Sequence, residues 1–175
     1  MSTIQTLSDE AACEASAVEI VLYSAALQPH FRSLNLAWIE RFFVVEDEDR
    51  RVLDYPYENI IAPGGQIFFA RDKQTNEILG TCALIAHGGH AEGDVFELAK
   101  MAVDEKAQGR KIGQKLLEAA IEYARDRGKK AVELESHSSL TAAIKLYEKL
   151  GFVKTPIPQD TKFQRVDIAM RLLLT

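Results

Sequence analysis

The sequence lacks most of the features that mark a special environment. Only two cysteines occur in 175 residues, Cys13 and Cys82, far apart and without metal-ligand spacing. Reduced thiols in a cytoplasmic protein are therefore expected, not a disulfide framework. No apolar run approaches the roughly 20 residues of a membrane-spanning helix, and the N-terminus has no basic segment followed by an apolar one. Excess positive charge is also missing, since 21 Lys and Arg against 26 Asp and Glu leave a net charge of -5 at pH 7. Duplex binding needs a basic face, so nucleic acid is not expected as a partner; an acidic surface instead suits cationic ligands such as amines. Repeats, linkers and low-complexity segments are absent. What remains is a soluble composition, 47% hydrophobic and 27% charged, in a chain long enough for one domain with a substantial core.

Residues 1–17 are polar and alanine-rich, with Ser8, Asp9 and Glu10 able to open a short helix. They read as a tail or a loosely docked helix, leaving 18–175 as a single domain. Residues 18–23 form a β-rich run. Leu27, Phe31, Leu34, Trp38 and Phe42 then recur at helical spacing, predicting an amphipathic helix over 25–43, with Pro29 tolerated in its first turn. The charged run from Glu46 to Arg51 predicts a short helix ending before Pro56. Residues 66–71 and 78–86 read as a hairpin around a polar turn. Strands are further expected at 95–103, 131–135, 152–154 and 165–173. Helices are expected from about 109 to 127 and after Ser138 or Ser139, which offer an N-cap; Gly128 and Gly151 offer the C-terminal stops. The order is β α α β β β α β α β β.

Residues 95–114 organise this pattern: an apolar strand, a polar turn, then a glycine-flanked loop opening a long helix. The first amides of a helix have no intrahelical partner, so such a loop aims several N–H groups at one anion. A phosphate-bearing ligand is the natural occupant. Gly109 and Gly113 also read as packing glycines in an ordinary strand–turn–helix connection.

Gln108, Gly113 and the later Leu146-Tyr147 and Gly151-Phe152 carry a resemblance. The segments MAVDEKAQGRKIGQKLLEAAIEYA and LESHSSLTAAIKLYEKLGF resemble the GNAT superfamily of acetyl-CoA-dependent N-acetyltransferases, over roughly residues 66–154. Lys111 stands where the family's central glycine is usual, and Leu140 where asparagine is frequent. The resemblance implies an α/β fold of GNAT type, a mixed and mostly antiparallel sheet flanked by helices with a splay between the fourth and fifth strands. It implies acetyl-CoA as cosubstrate, held by Gln108, Gly109, Arg110, Lys111, Ile112, Gly113 and Gln114 at its phosphates and by the backbone of Met101, Ala102 and Val103 along the pantetheine arm. It makes Tyr147 the general acid that protonates the departing thiolate, and a small-molecule or peptide amine the acceptor.

A general base is needed because an amine arrives protonated. Glu97 and Glu135, on neighbouring strands, are candidates by the same resemblance; each also reads as a solvated strand-end carboxylate. His137 is a third candidate. Tyr147 reads equally as a packing aromatic, and Ser138 or Ser139 as a substitute for the missing asparagine. His87 and His90 read as a loop, and no metal is expected. The acids from Glu46 to Asp49 read either as a solvated helix face or as a site for a cationic substrate. The apolar helix bearing Trp38, Phe42 and Phe43 fits either a pocket wall or a homodimer contact. A binding module that senses acyl-CoA without turnover is the rival to an enzyme.

Overall fold

A computed structural model describes residues 17–86 and 91–175; the expected N-terminal tail and the loop with His87 and His90 lie outside them. Seven strands form one sheet: β1 (Val18–Leu22), β2 (Gln66–Asp72), β3 (Ile78–Ala86), β4 (Val95–Val103), β5 (Ala131–Ser136), β6 (Val153–Thr155) and β7 (Ile168–Leu173). Their spatial order is β1-β2-β3-β4-β5-β7-β6. Every neighbouring pair is antiparallel except β4 with β5. The expected mixed, mostly antiparallel sheet is thus the observed one. Parallel neighbours need a long crossover, and helix α3 (Ile112–Asp126) supplies it. The other helices are α1 (Gln28–Phe42), α2 (Asp47–Asp54) and α4 (Thr141–Lys149).

The helices bury apolar stripes against two separate clusters. One gathers Leu116, Leu117 and Ile121 of α3 with Tyr147 of α4 over Phe68, Leu84, Phe96 and Leu98. The other sets Phe31 and Ile39 of α1 and Leu53 of α2 on Ile67, Phe69 and Ala83. At Gly80 the approach is so close that an added Cβ would meet Ile112 Cγ2 at 2.9 Å and the Ala102 carbonyl at 3.2 Å. That glycine lets the start of α3 settle directly on β3 and β4.

Element boundaries depart from the sequence expectation where side chains leave the regular pattern. The helix expected from 25 begins with a 3₁₀ turn, Ala25–Leu27, and Pro29 does fall in the first turn of α1. A π-helical turn, Tyr57–Ile61, was not foreseen. The helix expected from about 109 starts only at Ile112, because Lys111 is left-handed at φ 58°. Neither serine caps α4: Leu140 holds the cap position without a side-chain bond. Ser138 instead donates its N–H and hydroxyl to the two oxygens of Asp167, at 2.7 and 2.6 Å, and Ser139 turns to His137. The last strand starts at Ile168, three residues late, because Arg165 is drawn aside to α2. Among the described residues no helix is long and apolar enough to cross a membrane.

Candidate active site

Strands β4 and β5 pair only from Val95↔Ala131 to Leu98↔Leu134. Beyond that point β4 keeps its bonds to β3 alone, so its other edge opens into a wedge. A one-residue bulge sits at the opening: Ala83 faces Ala99 and Thr81 faces Ala102, leaving Lys100 and Met101 opposite Cys82. Lys100 takes the left-handed φ of 54°, as bulges allow. The bulge changes which residues face α3. Phe96 and Leu98 belong to the α3 cluster, and after it Met101 and Val103 pack there, while Lys100 is turned to the other side.

A cavity of about 740 Å³ fills the wedge, a size suited to a small-molecule site. At one end lies the loop before α3. The first helical bond there is from Lys115 N–H to the Lys111 carbonyl at 3.1 Å, so the amides of Ile112, Gly113 and Gln114 have no partner within the helix. Gly109 at φ 85° and Lys111 at φ 58° fold the chain into this turn. Gln108, Gly109, Lys111, Ile112, Gly113 and Gln114 all line the cavity, as do Met101 and Val103. Two expected residues do not: Ala102 is buried in the sheet, and the Arg110 guanidinium pairs with Asp72 at 3.2 Å. Asp72 is itself fixed by the N–H groups of Thr75 and Gln74, whose hydrogen bonds lower its pKa, so Arg110 serves the β2–β3 turn. This cradle of free amides and cationic Lys111 fits a phosphate-bearing cosubstrate.

Left-handed backbone costs a non-glycine residue roughly 1–2 kcal/mol, while glycine costs roughly 0.5–1 kcal/mol in lost chain entropy. Lys111→Gly should therefore stabilise the fold by up to about 1 kcal/mol, and denaturant unfolding checks this; a net loss would mean that the Lys111 side chain supports the turn.

Tyr147 lies in the floor of the cavity, its ring 5.8 Å from that of Phe152. Burial, with Cys82 nearby as the smaller cause, raises its phenol pKa well above the ordinary value, so it stays protonated. Glu97 and Glu135 both reach the same cavity. Glu135 Oε2 accepts the Thr161 hydroxyl at 2.6 Å, and the Glu97 charge acts on Lys100. His137 has both ring nitrogens engaged. Nδ1 accepts the Ser139 N–H at 3.1 Å, which places the proton on Nε2, 3.6 Å from Asp167.

The far end joins acids that the sequence singled out, Glu46 to Asp49, to three residues it did not, Lys100, Phe163 and Arg165. Asp49 of α2 is fully buried. It accepts Lys100 Nζ at 2.5 Å and a bidentate pair from Arg165, Nη1 at 2.8 Å and Nη2 at 2.7 Å. Burial alone would raise its carboxyl pKa, but the Arg165 hydrogen bonds and the Lys100 charge outweigh it and hold the group at about 2. Burial lowers the Lys100 pKa, against the pull of Asp49. Phe163 lies under both cations, 4.7 Å from Lys100 Nζ and 4.6 Å from the guanidinium carbon. Two more acids of this run are paired: Glu46, just before α2, meets Arg165 and the Gln164 N–H, and Glu48 meets Arg51 and Lys162 at the surface, while Asp47 is exposed. Trp38, Phe42 and Phe43 line this end, the first of the two uses open to them.

An open parallel wedge, an amide cradle at one end and carboxylates with a neutral phenol beyond it thus share one cavity. The sequence model of the Acetyltransferase (GNAT) family matches residues 26–152. The chain belongs to that family. A mycothiol acetyltransferase of Streptosporangium roseum is 42% identical over 67 residues, 38% of this chain and 20% of that protein. An N-acetyltransferase of Escherichia coli K12, YjgM, is 34% identical over 100 residues, 57% of this chain and 58% of that one. The chain spans only 20% to 29% of the length of the first curated relatives it matches. Among solved structures, a GNAT-family acetyltransferase of Staphylococcus aureus Mu50 superposes with a TM-score of 0.80 at 22% identity, covering 91% of this chain and all of that one. The protein yncA of Salmonella typhimurium, described with its cofactor acetyl-CoA, gives 0.70 at 21% identity, covering 91% and 95%. These likenesses establish the fold.

Proposed function

We propose that the protein is a cytoplasmic enzyme that moves an acetyl group from acetyl-CoA to a primary amine by direct attack. The observation that carries this reading is the single cavity joining the amides of 112–114 to Glu97, Glu135 and Tyr147. The cradle takes the phosphates, and the open edge of β4 offers backbone partners to the pantetheine amides. Glu97 or Glu135 takes the ammonium proton, and the freed nitrogen attacks the thioester carbon while backbone N–H groups of β4 polarise its oxygen. The carbon–sulfur bond then breaks, and the thiolate takes the Tyr147 proton. The new amide nitrogen gives up its second proton, which restores the Tyr147 phenol through water, and the amide is released as the Glu proton passes to solvent. Cys82 is buried, and burial raises its pKa far above the ordinary thiol value, which suits neither a nucleophile nor an acetyl-enzyme.

Calorimetry with acetyl-CoA, followed by thiol release over a panel of amines, tests the reading. Binding without turnover by any amine would favour the acyl-CoA sensor, and no binding would end both. Glu97→Gln and Glu135→Gln, made separately, assign the base: the correct one should lower kcat/KM by roughly 10²–10⁴-fold and abolish the acidic limb of the pH–rate profile. If neither substitution shifts that limb, the base lies elsewhere.

A further inference from the structure

We propose that the acceptor is an amino carboxylate whose carboxylate docks on the free side edge of Arg165. The inference rests on the acetyl-transfer reading above and names its substrate class. Arg165 lies on the strap between β6 and β7, outside residues 26–152 that match the family. Its side chain is 18% exposed and lines the cavity. A guanidinium offers five N–H donors on two usable edges. The end-on edge is occupied, because Nη1 and Nη2 grip the two oxygens of Asp49, and the second Nη1 hydrogen reaches Glu46 at 3.3 Å. Nε–H and the outer Nη2–H make up the other edge, and no described residue accepts from either. Nor is Nε sealed away, since Arg171 Nε is the orphaned buried side-chain nitrogen or oxygen found among the described residues.

Asp49 and Glu46 together balance the charges of Lys100 and Arg165, so what the cluster leaves over is the unused donor edge of the guanidinium. The guanidinium is also held rigidly, with Phe163 at 4.6 Å and Phe43 at 5.6 Å from its carbon. A fixed planar fork facing a cavity matches a planar oxyanion with two parallel hydrogen bonds. The same cavity carries Glu97 and Glu135, which suit an ammonium group. An acceptor with both charges satisfies both ends, whereas a polyamine would set a cation against Arg165. Trp38 and Phe42 leave an apolar wall for the remainder of the molecule.

Pairs of amines that differ only in the carboxylate test this: phenylalanine and phenethylamine, leucine and isoamylamine, 4-aminobutyrate and butylamine. In at least one pair kcat/KM for thiol release should be higher for the amino carboxylate by roughly tenfold to a hundredfold, the worth of charge-assisted hydrogen bonds. Methyl esters of the same acids should fall to the level of the simple amines. Arg165→Lys keeps a cation beside Asp49 but removes the side edge, so the ratio should shrink about tenfold. Equal or better use of the simple amines overturns the proposal alone, as does a ratio unmoved in a folded Arg165→Lys protein. Should that variant not fold, the ester comparison on the unaltered enzyme decides the matter. Absence of thiol release with every amine overturns acetyl transfer itself, and this proposal with it.

Discussion

Tyr147→Phe should lower kcat by roughly two to four orders of magnitude, the usual worth of a positioned general acid, while acetyl-CoA binding changes less than about threefold. The substitution keeps the ring that packs 5.8 Å from Phe152 and removes only the hydroxyl, so the fold should lose little. A phenol raised by burial is a weak acid in isolation, yet a thiolate expelled beside it is desolvated by the same surroundings and its pKa rises too. The two stay matched closely enough for proton transfer. Since the phenol remains protonated through the alkaline range, the basic limb of the pH–rate profile should not be altered in shape by the substitution. Single-turnover kinetics and calorimetry separate the two effects. Unchanged kcat would remove Tyr147 from the chemistry and leave it as a packing residue.

Asp49→Asn should be the most damaging polar substitution in the molecule, at about 3–5 kcal/mol, the cost of leaving buried partner charges uncompensated. For a chain of this length that is a fall in Tm of roughly 6–20 °C. The magnitude follows from there being two cations on one fully buried carboxylate, not from the number of hydrogen bonds. The same group makes stability acid-sensitive in a defined window. Its folded pKa of about 2 lies below the ordinary 3.8, so its contribution is fully present above pH 3.8 and is lost as pH falls through 2. The shift corresponds to at most about 2 kcal/mol, an upper limit because cleft water reaches Arg165. Denaturant titrations at pH 5 and pH 2.5 should show a larger loss in the unaltered protein than in Asp49→Asn, where only the other lowered carboxyls such as Asp72 and Asp167 still contribute. A cost below about 1 kcal/mol at pH 7 would mean that the cluster is effectively solvated.

The sheet and the amide cradle were legible in the sequence because their signals are local. Apolar, β-rich runs bounded by polar turns mark β2 to β5, and a 3.6-residue period marks α1 and α3, so 78–86 and 95–103 were placed to the residue. The far end of the cavity was not legible, because its bonds join residues 51 and 116 positions apart and leave no periodic trace. Glu46 and Asp49 read as a solvated helix face or a site for a cationic substrate; only the fold brings Lys100 and Arg165 onto them. Ser138 and Ser139 have the composition of a helix cap, but Asp167 and His137 compete for their hydrogen bonds. One signal was present in the sequence: Phe96, Leu98, Met101 and Val103 are spaced two, three and two apart, and that interrupted alternation marks a bulge.

Insertions inside a strand are ordinarily purged, because one extra residue sends every later side chain to the wrong face. The bulge in β4 escapes that rule. Without Lys100, the residues Phe96, Leu98, Met101 and Val103 alternate without interruption, so a chain lacking it can still lay a regular strand along β3. Arg165 would keep its grip on Asp49, and only the ammonium would vanish from the end of the cleft. A lineage can therefore acquire or discard this charge in a single three-nucleotide step, with a foldable protein on either side of it.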